Sequence, residues 1–129
     1  MNLDSDDHWH FQIAAGWLGL GDWRSANAEL DKLTPTMQED PEVLKLRVAI
    51  YCEARQFELA AAVSDALAQT ISDDAQFWFN RGVALCQLGR LQEAEAAIFN
   101  CLQIKPELFP AVQDNPDLKL LSFRSPSAS

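Results

Sequence analysis

Residues 14–30 read AAGWLGLGDWRSANAEL, and this pattern of small and bulky residues returns twice further along the chain. The later copies are AIYCEARQFELAAAV at 49–63 and GVALCQLGRLQEAEAAI at 82–98. The columns, each stepping by 34 residues, are Trp17, Tyr51 and Leu85; Gly21, Arg55 and Gly89; Trp23, Phe57 and Leu91; and Ala26, Ala60 and Ala94. A fixed period without insertions predicts a tandem array with units at 7–40, 41–74 and 75–108.

The composition favours helices throughout. Stretches rich in Ala, Leu, Glu and Gln lie between six prolines and five glycines, and hairpin signals such as Asn-Gly are absent. Small residues in the alanine column let two helices approach closely, and bulky neighbours fill the space beside them. We therefore expect an all-α fold in which each unit holds two helices and a short turn.

The third unit resembles the tetratricopeptide repeat, whose 34-residue unit has a pattern of Trp, Leu-Gly, Tyr, Ala, Phe and Pro. Its matching residues are Trp78, Gly82, Leu85, Ala94, Ile98 and Pro106, with Arg81 in place of Leu. The second unit departs from the pattern at Ser64 and Ser72, and the first at His10 and Pro35. The resemblance implies an α-α superhelix of three helix-turn-helix repeats, forming a single domain over 1–122.

The glycines of the first copy could also begin a phosphate-binding loop. Against this, no strand precedes Gly19 and Gly21, and Arg24 occupies the place of a third glycine. Gly21 and Gly89 instead indicate helix ends that adopt positive φ, with Arg55 as the weaker stop in the same column. A tight turn is the better interpretation.

Three residues predict helix starts, because each can cap the backbone that follows it. Asp40 and Asn115 precede prolines, a typical N-cap followed by Pro at the first helical position, and Asp74 can cap the third unit. After Pro106 we expect the register to break, with 109–122 forming a short capping helical segment and 123–129 a disordered tail.

The first helix of each unit lines the inner surface of such an array, as the resemblance implies. The predicted partner-binding groove consists of Phe11, Ala15, Leu18, Lys45, Ala49, Cys52, Phe79, Asn80, Val83 and Cys86, with Glu42, Leu46 and Gln76 on the same side. Its apolar floor favours an apolar or mixed segment of about six extended residues, or a short helix. Equally, the chain's own C-terminal segment, ending LKLLSF, could fill this groove.

Some relatives hold a C-terminal carboxylate with a clamp of lysines, an arginine and asparagines. Only Lys45 and Asn80 match that clamp, whereas Phe11, Ala15 and Ala49 stand where charge or amide is required. The resemblance therefore does not extend to this ligand.

Arg47 and Arg81 share a column in which the related family has Leu. A partly buried guanidinium requires a carboxylate or carbonyl partner, so we expect internal bridges, with ligand contact as the alternative.

The net charge of −9 disfavours nucleic acid and anionic membranes as partners. No apolar run approaches the roughly 20 residues of a membrane span, and the acidic N-terminus is unlike a signal peptide, so a cytoplasmic location is expected. Three widely spaced cysteines indicate free thiols and not a disulfide framework. His8 and His10 are two residues apart, which points them to different sides of a helix, so no metal or cofactor is expected.

The first unit has no preceding helix to pack upon. Trp9, His10 and Ile13 therefore form a candidate oligomer face that could support a homodimer. Lacking a nucleophile motif or a paired-carboxylate site, the chain is predicted to be non-catalytic and to bind a protein or peptide. The alternatives are a structural, homo-oligomerising protein with a self-filled groove, and a secretion-type chaperone.

Overall fold

The computed structural model of the chain describes residues 5–71 and 73–121. Within these residues the chain forms seven α-helices and no strand, which confirms the all-α prediction. The α-helices are α1 Ser5–Gly19, α2 Trp23–Leu30, α3 Pro41–Glu53, α4 Phe57–Leu67, α5 Ala75–Gln87, α6 Leu91–Ile104 and α7 Phe109–Asp114. Short 3₁₀ helices lie at Met37–Glu39, Pro106–Leu108 and Pro116–Leu118. The predicted tail, 123–129, lies outside the described residues.

The helices form three consecutive pairs, α1 with α2, α3 with α4 and α5 with α6. The second helices begin at Trp23, Phe57 and Leu91, in the 34-residue register. Each pair packs on the previous one, because α3 contacts α2, and α5 contacts both α4 and α3. The three residues of the alanine column, Ala26, Ala60 and Ala94, are fully buried.

The turns inside the pairs adopt the predicted backbone conformation. Gly21 and Gly89 have φ of 82° and 79°, and Arg55 reaches 62° in the same column. Glycine has no Cβ to oppose this left-handed region, whereas arginine is strained there. The expectation of a helix stop at these three positions is confirmed.

The predicted caps lie at the starts of α3 and α5. Asp40 accepts a hydrogen bond from the Glu42 N–H at 2.9 Å, and Asp74 accepts one from the Phe77 N–H at 3.1 Å. Asn115 also accepts, from the Asp117 N–H at 2.8 Å, but it precedes only a 3₁₀ turn.

The structure of the C-terminal segment differs from the prediction in one respect. The break in register predicted after Pro106 is wrong for α7, which begins 34 residues after α5, like the start of a further unit. α7 ends at Asp114 because Asn115 precedes Pro116 and is extended, with ψ of 117°. The chain then turns and packs against α5.

No helix among residues 5–71 and 73–121 has the length and hydropathy of a membrane span.

Candidate functional site

The first helices of the three pairs lie side by side and border a groove that is open to solvent and has a volume of about 270 Å³. It is lined by Phe11, Leu18, Glu42, Lys45, Leu46, Ala49, Asp74, Gln76, Phe77 and Asn80. We call this set the open groove. Its apolar walls come mainly from α1 and α3, and its polar groups from α3 and the start of α5.

Lys45 ties the second pair to the third across the open groove. Its Nζ lies 2.7 Å from Asp74 Oδ2 and 2.9 Å from Glu42 Oε1. Burial alone would lower the pKa of Lys45, but these two hydrogen bonds outweigh burial and raise it. Two carboxylates around one ammonium leave this part of the groove with a net negative charge.

Asp74 caps the N-terminus of α5 and also pairs with Lys45. Burial would raise its pKa, yet the hydrogen bonds from Lys45 and from the Phe77 N–H hold that pKa below its usual value. The carboxylate is therefore ionised at neutral pH and fixed by two partners. Beside it, the Gln76 amide donates to Asn80 Oδ1 at 3.2 Å, so amide groups line the same edge.

The chain's own C-terminal segment covers the other end of the inner surface. Leu118 and Leu121 belong to one buried cluster with Val83 and Cys86 of α5. The Gln87 side-chain amide donates to the Asp117 carbonyl at 2.7 Å. This segment therefore covers part of the surface that the sequence analysis assigned to a partner.

Arg55 fixes the same segment from the α3–α4 turn. Its Nη1 lies 2.8 Å from Asp117 Oδ2. A cavity of about 180 Å³ remains between this segment and the inner surface, bordered by Cys52, Glu53, Arg55, Phe79, Asn80, Val83, Asn115 and Asp117. The inner surface is thus divided into an open and a covered part.

The predicted groove residues are distributed over these two parts. Those lining the open groove are Phe11, Leu18, Lys45, Ala49 and Asn80. Cys52 and Phe79 border the smaller cavity, and Val83, also at its edge, is buried with Cys86 in the cluster beneath the C-terminal segment. Ala15 is exposed on α1.

The arginine column forms internal bridges, as expected. Arg47 Nη2 lies 2.9 Å from Asp31 Oδ1, and its Nη1 donates to Asn27 Oδ1. Arg81 Nη1 lies 2.7 Å from both Asp65 Oδ1 and Ser64 Oγ. Neither guanidinium lines the open groove.

The three cysteines are free thiols. Burial raises the pKa of Cys52 to about 12, and it raises the pKa of Cys86 and Cys101 as well. Because the thiolate is the reactive form, these side chains are poor nucleophiles at neutral pH.

The histidines of the first unit diverge, as their spacing predicts. His10 Nδ1 pairs with Glu29 Oε2 at 2.9 Å, whereas His8 is exposed. His10 therefore contacts α2 within its own pair, and its place on an oligomer face stays a prediction. Among the residues that the structure describes, no three His, Cys, Asp or Glu side chains group as metal ligands.

Sequence reasoning missed two residues of the open groove, Asp74 and Phe77. Asp74 was recognised only as a cap, and its second role depends on the distance between neighbouring pairs, which the sequence does not give. Phe77 shares a column with Val43, 34 residues earlier, and both residues are buried. A buried column does not predict that Phe77 also lines the edge of the open groove.

A family model described as tetratricopeptide repeat matches residues 46–123, more than half of the chain. Comparison with curated proteins and comparison with solved structures find no significant match. The match begins within α3 and continues through the third helix pair into the C-terminal segment. The chain belongs to the tetratricopeptide repeat family, whose members serve as protein–protein interaction modules.

Proposed function

We propose that this chain is a non-catalytic binding protein and that a short segment of a partner protein, extended or helical, occupies the open groove. The observation that carries the proposal is the division of the inner surface. The C-terminal segment buries Val83 and Cys86, while Phe11, Leu18 and Ala49 still line an open groove.

The side chains of the groove define the kind of segment that fits. Phe11, Leu18, Leu46 and Ala49 offer apolar contacts from α1 and α3. Apolar pockets fix alternate side chains of a bound peptide, and polar groups at the edge fix its backbone. Asn80 and Gln76 stand at that edge as hydrogen-bonding amides.

The charges of the groove add a preference for a basic residue. Glu42 and Asp74 share a single cation, Lys45, and the whole chain carries a net charge of −9. A lysine or arginine on the partner would complement the surplus carboxylate, and electrostatic complementarity favours both encounter and register. We therefore expect apolar segments with a positive charge and not acidic ones.

A selection from a random peptide display library on the immobilised chain tests the proposal. Selected peptides should combine apolar residues with Lys or Arg, and fluorescence anisotropy should give a measurable Kd for them. Ala49→Arg places a long cation on the groove floor and should weaken binding at least tenfold.

The matched control is Leu59→Arg, because Leu59 is an exposed apolar residue on α4 that does not line the groove. Circular dichroism checks that both variants keep their helices. Equal binding by Ala49→Arg and Leu59→Arg, or no enrichment of any peptide, contradicts the proposal.

Of the alternatives, a homo-oligomer is supported by a separate surface, described below. The secretion-type chaperone stays a prediction that no contact among the described residues favours.

A further inference from the structure

The outer face of α1 repeats the surface by which the later units pack on their neighbours. We define this α1 outer face as Asp6, Trp9, Ile13, Gly16 and Leu20, which alternate in steps of three and four residues. That spacing places all five on one side of a helix, as in the contact positions of a coiled coil.

The 34-residue register shows what this face does in the other units. Trp9 corresponds to Val43 and Phe77, and Gly16 to Ile50 and Ala84; these four counterparts are buried where α3 packs on α2 and α5 packs on α4.

The same positions on α1 are open. Trp9 is 63% exposed and Leu20 is 79% exposed, and Trp17 beside them is 38% exposed. A Cβ built on Gly16 meets nothing within 4 Å. An outer face with this much exposed apolar surface indicates a surface that another helix covers.

We propose that a second copy of this chain covers the α1 outer face, with two α1 helices packed antiparallel about a two-fold axis between Ile13 and Gly16. The charge distribution favours a second copy as the occupant. In a chain with net charge −9, this face carries only one charge, Asp6, at its N-terminal end.

The antiparallel arrangement matches unlike residues in pairs. Trp9 of one copy faces Leu20 of the other, and Ile13 faces Gly16, so that a bulky side chain meets a small one. Asp6 then comes beside Arg24, which is exposed and lies over the Trp23 ring at 5.0 Å. Each such pair occurs twice, as an isologous interface requires.

Stacking head to tail is the less favourable way to cover the same face. It would place α1 of one copy against the C-terminal end of another, where α7 already occupies the start of a further unit. Val112 of α7 is buried there in one cluster with Ile98 and Leu102 of α6. That position is therefore filled by the chain itself.

The size of the face sets the expected affinity. α1 has 15 residues, so it is about 22 Å long and about 10 Å wide. The contact of a pair of such helices is therefore on the order of a few hundred Å² per chain, less than the ~800 Å² per partner of a standard stable interface. We expect a reversible dimer with a Kd in the micromolar range.

Sedimentation velocity of the full chain, from about 1 to about 300 µM, tests the dimer across this range. Ile13→Arg places at this position the residue found at Arg47 and Arg81, and it should raise the Kd at least tenfold. The control is Phe99→Arg, because Phe99 is 61% exposed on α6, away from α1, and the Kd should be unchanged. A wild-type chain that stays monomeric throughout, or equal weakening by both variants, overturns the proposal.

Cross-linking and charge reversal test the arrangement. Gly16→Cys should give a covalent dimer with a short bismaleimide, whereas the wild type, whose own cysteines serve as the background, and Leu59→Cys should not. Arg24→Glu should raise the Kd several-fold, and adding Asp6→Arg should restore it. Failure of Gly16→Cys to cross-link, or of the double variant to recover, overturns the antiparallel pairing.

The dimer experiments are independent of peptide binding in the open groove. Ile13→Arg leaves the open groove unaltered, so peptide binding should persist in it.

Discussion

Arg81 pairs with Asp65 at 2.7 Å and repeats, one unit later, the pairing of Arg47 with Asp31 at 2.9 Å. Each arginine lies on the first helix of a pair. Asp65 lies on α4, the second helix of the pair before it, and Asp31 is the C-cap of α2, directly after that helix ends. The related family has Leu at the arginine position. This chain therefore joins its units through two arginines that are largely shielded from solvent and whose guanidinium groups are paired with carboxylates.

Arg81→Ala should lower the free energy of unfolding by about 2 kcal/mol, because it removes packing and leaves the carboxylate without its closest partner. Arg81→Leu should cost less than about 1 kcal/mol, since it restores the apolar stem. Urea denaturation measures both, with exposed Lys119→Ala as the control that should change little. Equal losses for Ala and Leu would mean that the charge, and not the packing, joins the units.

Gly89→Ala should destabilise the chain by about 1 to 2 kcal/mol, because φ at this position is 79°. A Cβ there meets nothing within 4 Å, so the loss comes from backbone conformation alone. Gly19→Ala is the matched control, having equal space and no positive φ, and should be neutral or slightly stabilising. Thermal unfolding compares the two, and equal shifts of Tm would refute this explanation of the turn.

Gly82→Ala should destabilise for a different reason. A Cβ added at Gly82 would clash with Cδ1 of Ile98 and lie 2.7 Å from Cγ1 of the same residue. Gly82 lies on α5 and Ile98 on α6, so the clash would disturb the packing of these two helices. Overpacking of this kind costs about 1 to 3 kcal/mol. Adding Ile98→Val removes Cδ1 and should recover part of the loss in urea denaturation; a double variant less stable than both single variants would argue against the close approach.

Lowering the pH should weaken the contact between Lys45 and Asp74, which links the second helix pair to the third. The pKa of Asp74 is lower in the folded chain than its ordinary value of 3.8, so its contribution to stability is present above that value. The contribution is lost as pH falls below about 4 and through the folded pKa. Asp74→Asn keeps the cap but not the charge, so stability measured from pH 6 to pH 2 should fall less in the variant. Identical pH profiles would show that the Lys45 contact contributes nothing.

The 34-residue period was sufficient to predict the helix pairs, their turns and the arginine bridges. Each depends on which residues share a column, and Gly21, Arg55 and Gly89 show this most directly, since all three adopt positive φ. Beyond the last complete unit the 34-residue spacing gives only the start of α7. The packing of Leu118 and Leu121 on α5 follows instead from Pro116, which ends the helix and turns the chain back.

The candidate site was predictable only in part. Phe11, Leu18 and Ala49 follow from helical spacing on the inner surface, and the structure places all three in the open groove. Val83 and Cys86 have the same spacing but are covered by residues distant in sequence. A repeat pattern gives the side of a helix on which a residue lies, but not what else packs on that side.

Chemical-shift mapping shows directly whether a partner segment binds in the open groove. Titrating a selected peptide into ¹⁵N-labelled chain should shift the amide signals of Phe11, Leu18, Ala49 and Asn80 most strongly. The shifts should be absent in Ala49→Arg and preserved in Leu59→Arg. Shifts confined to α2, α4 and α6, or to the outer face of α1, would show that the peptide binds elsewhere and not in the open groove.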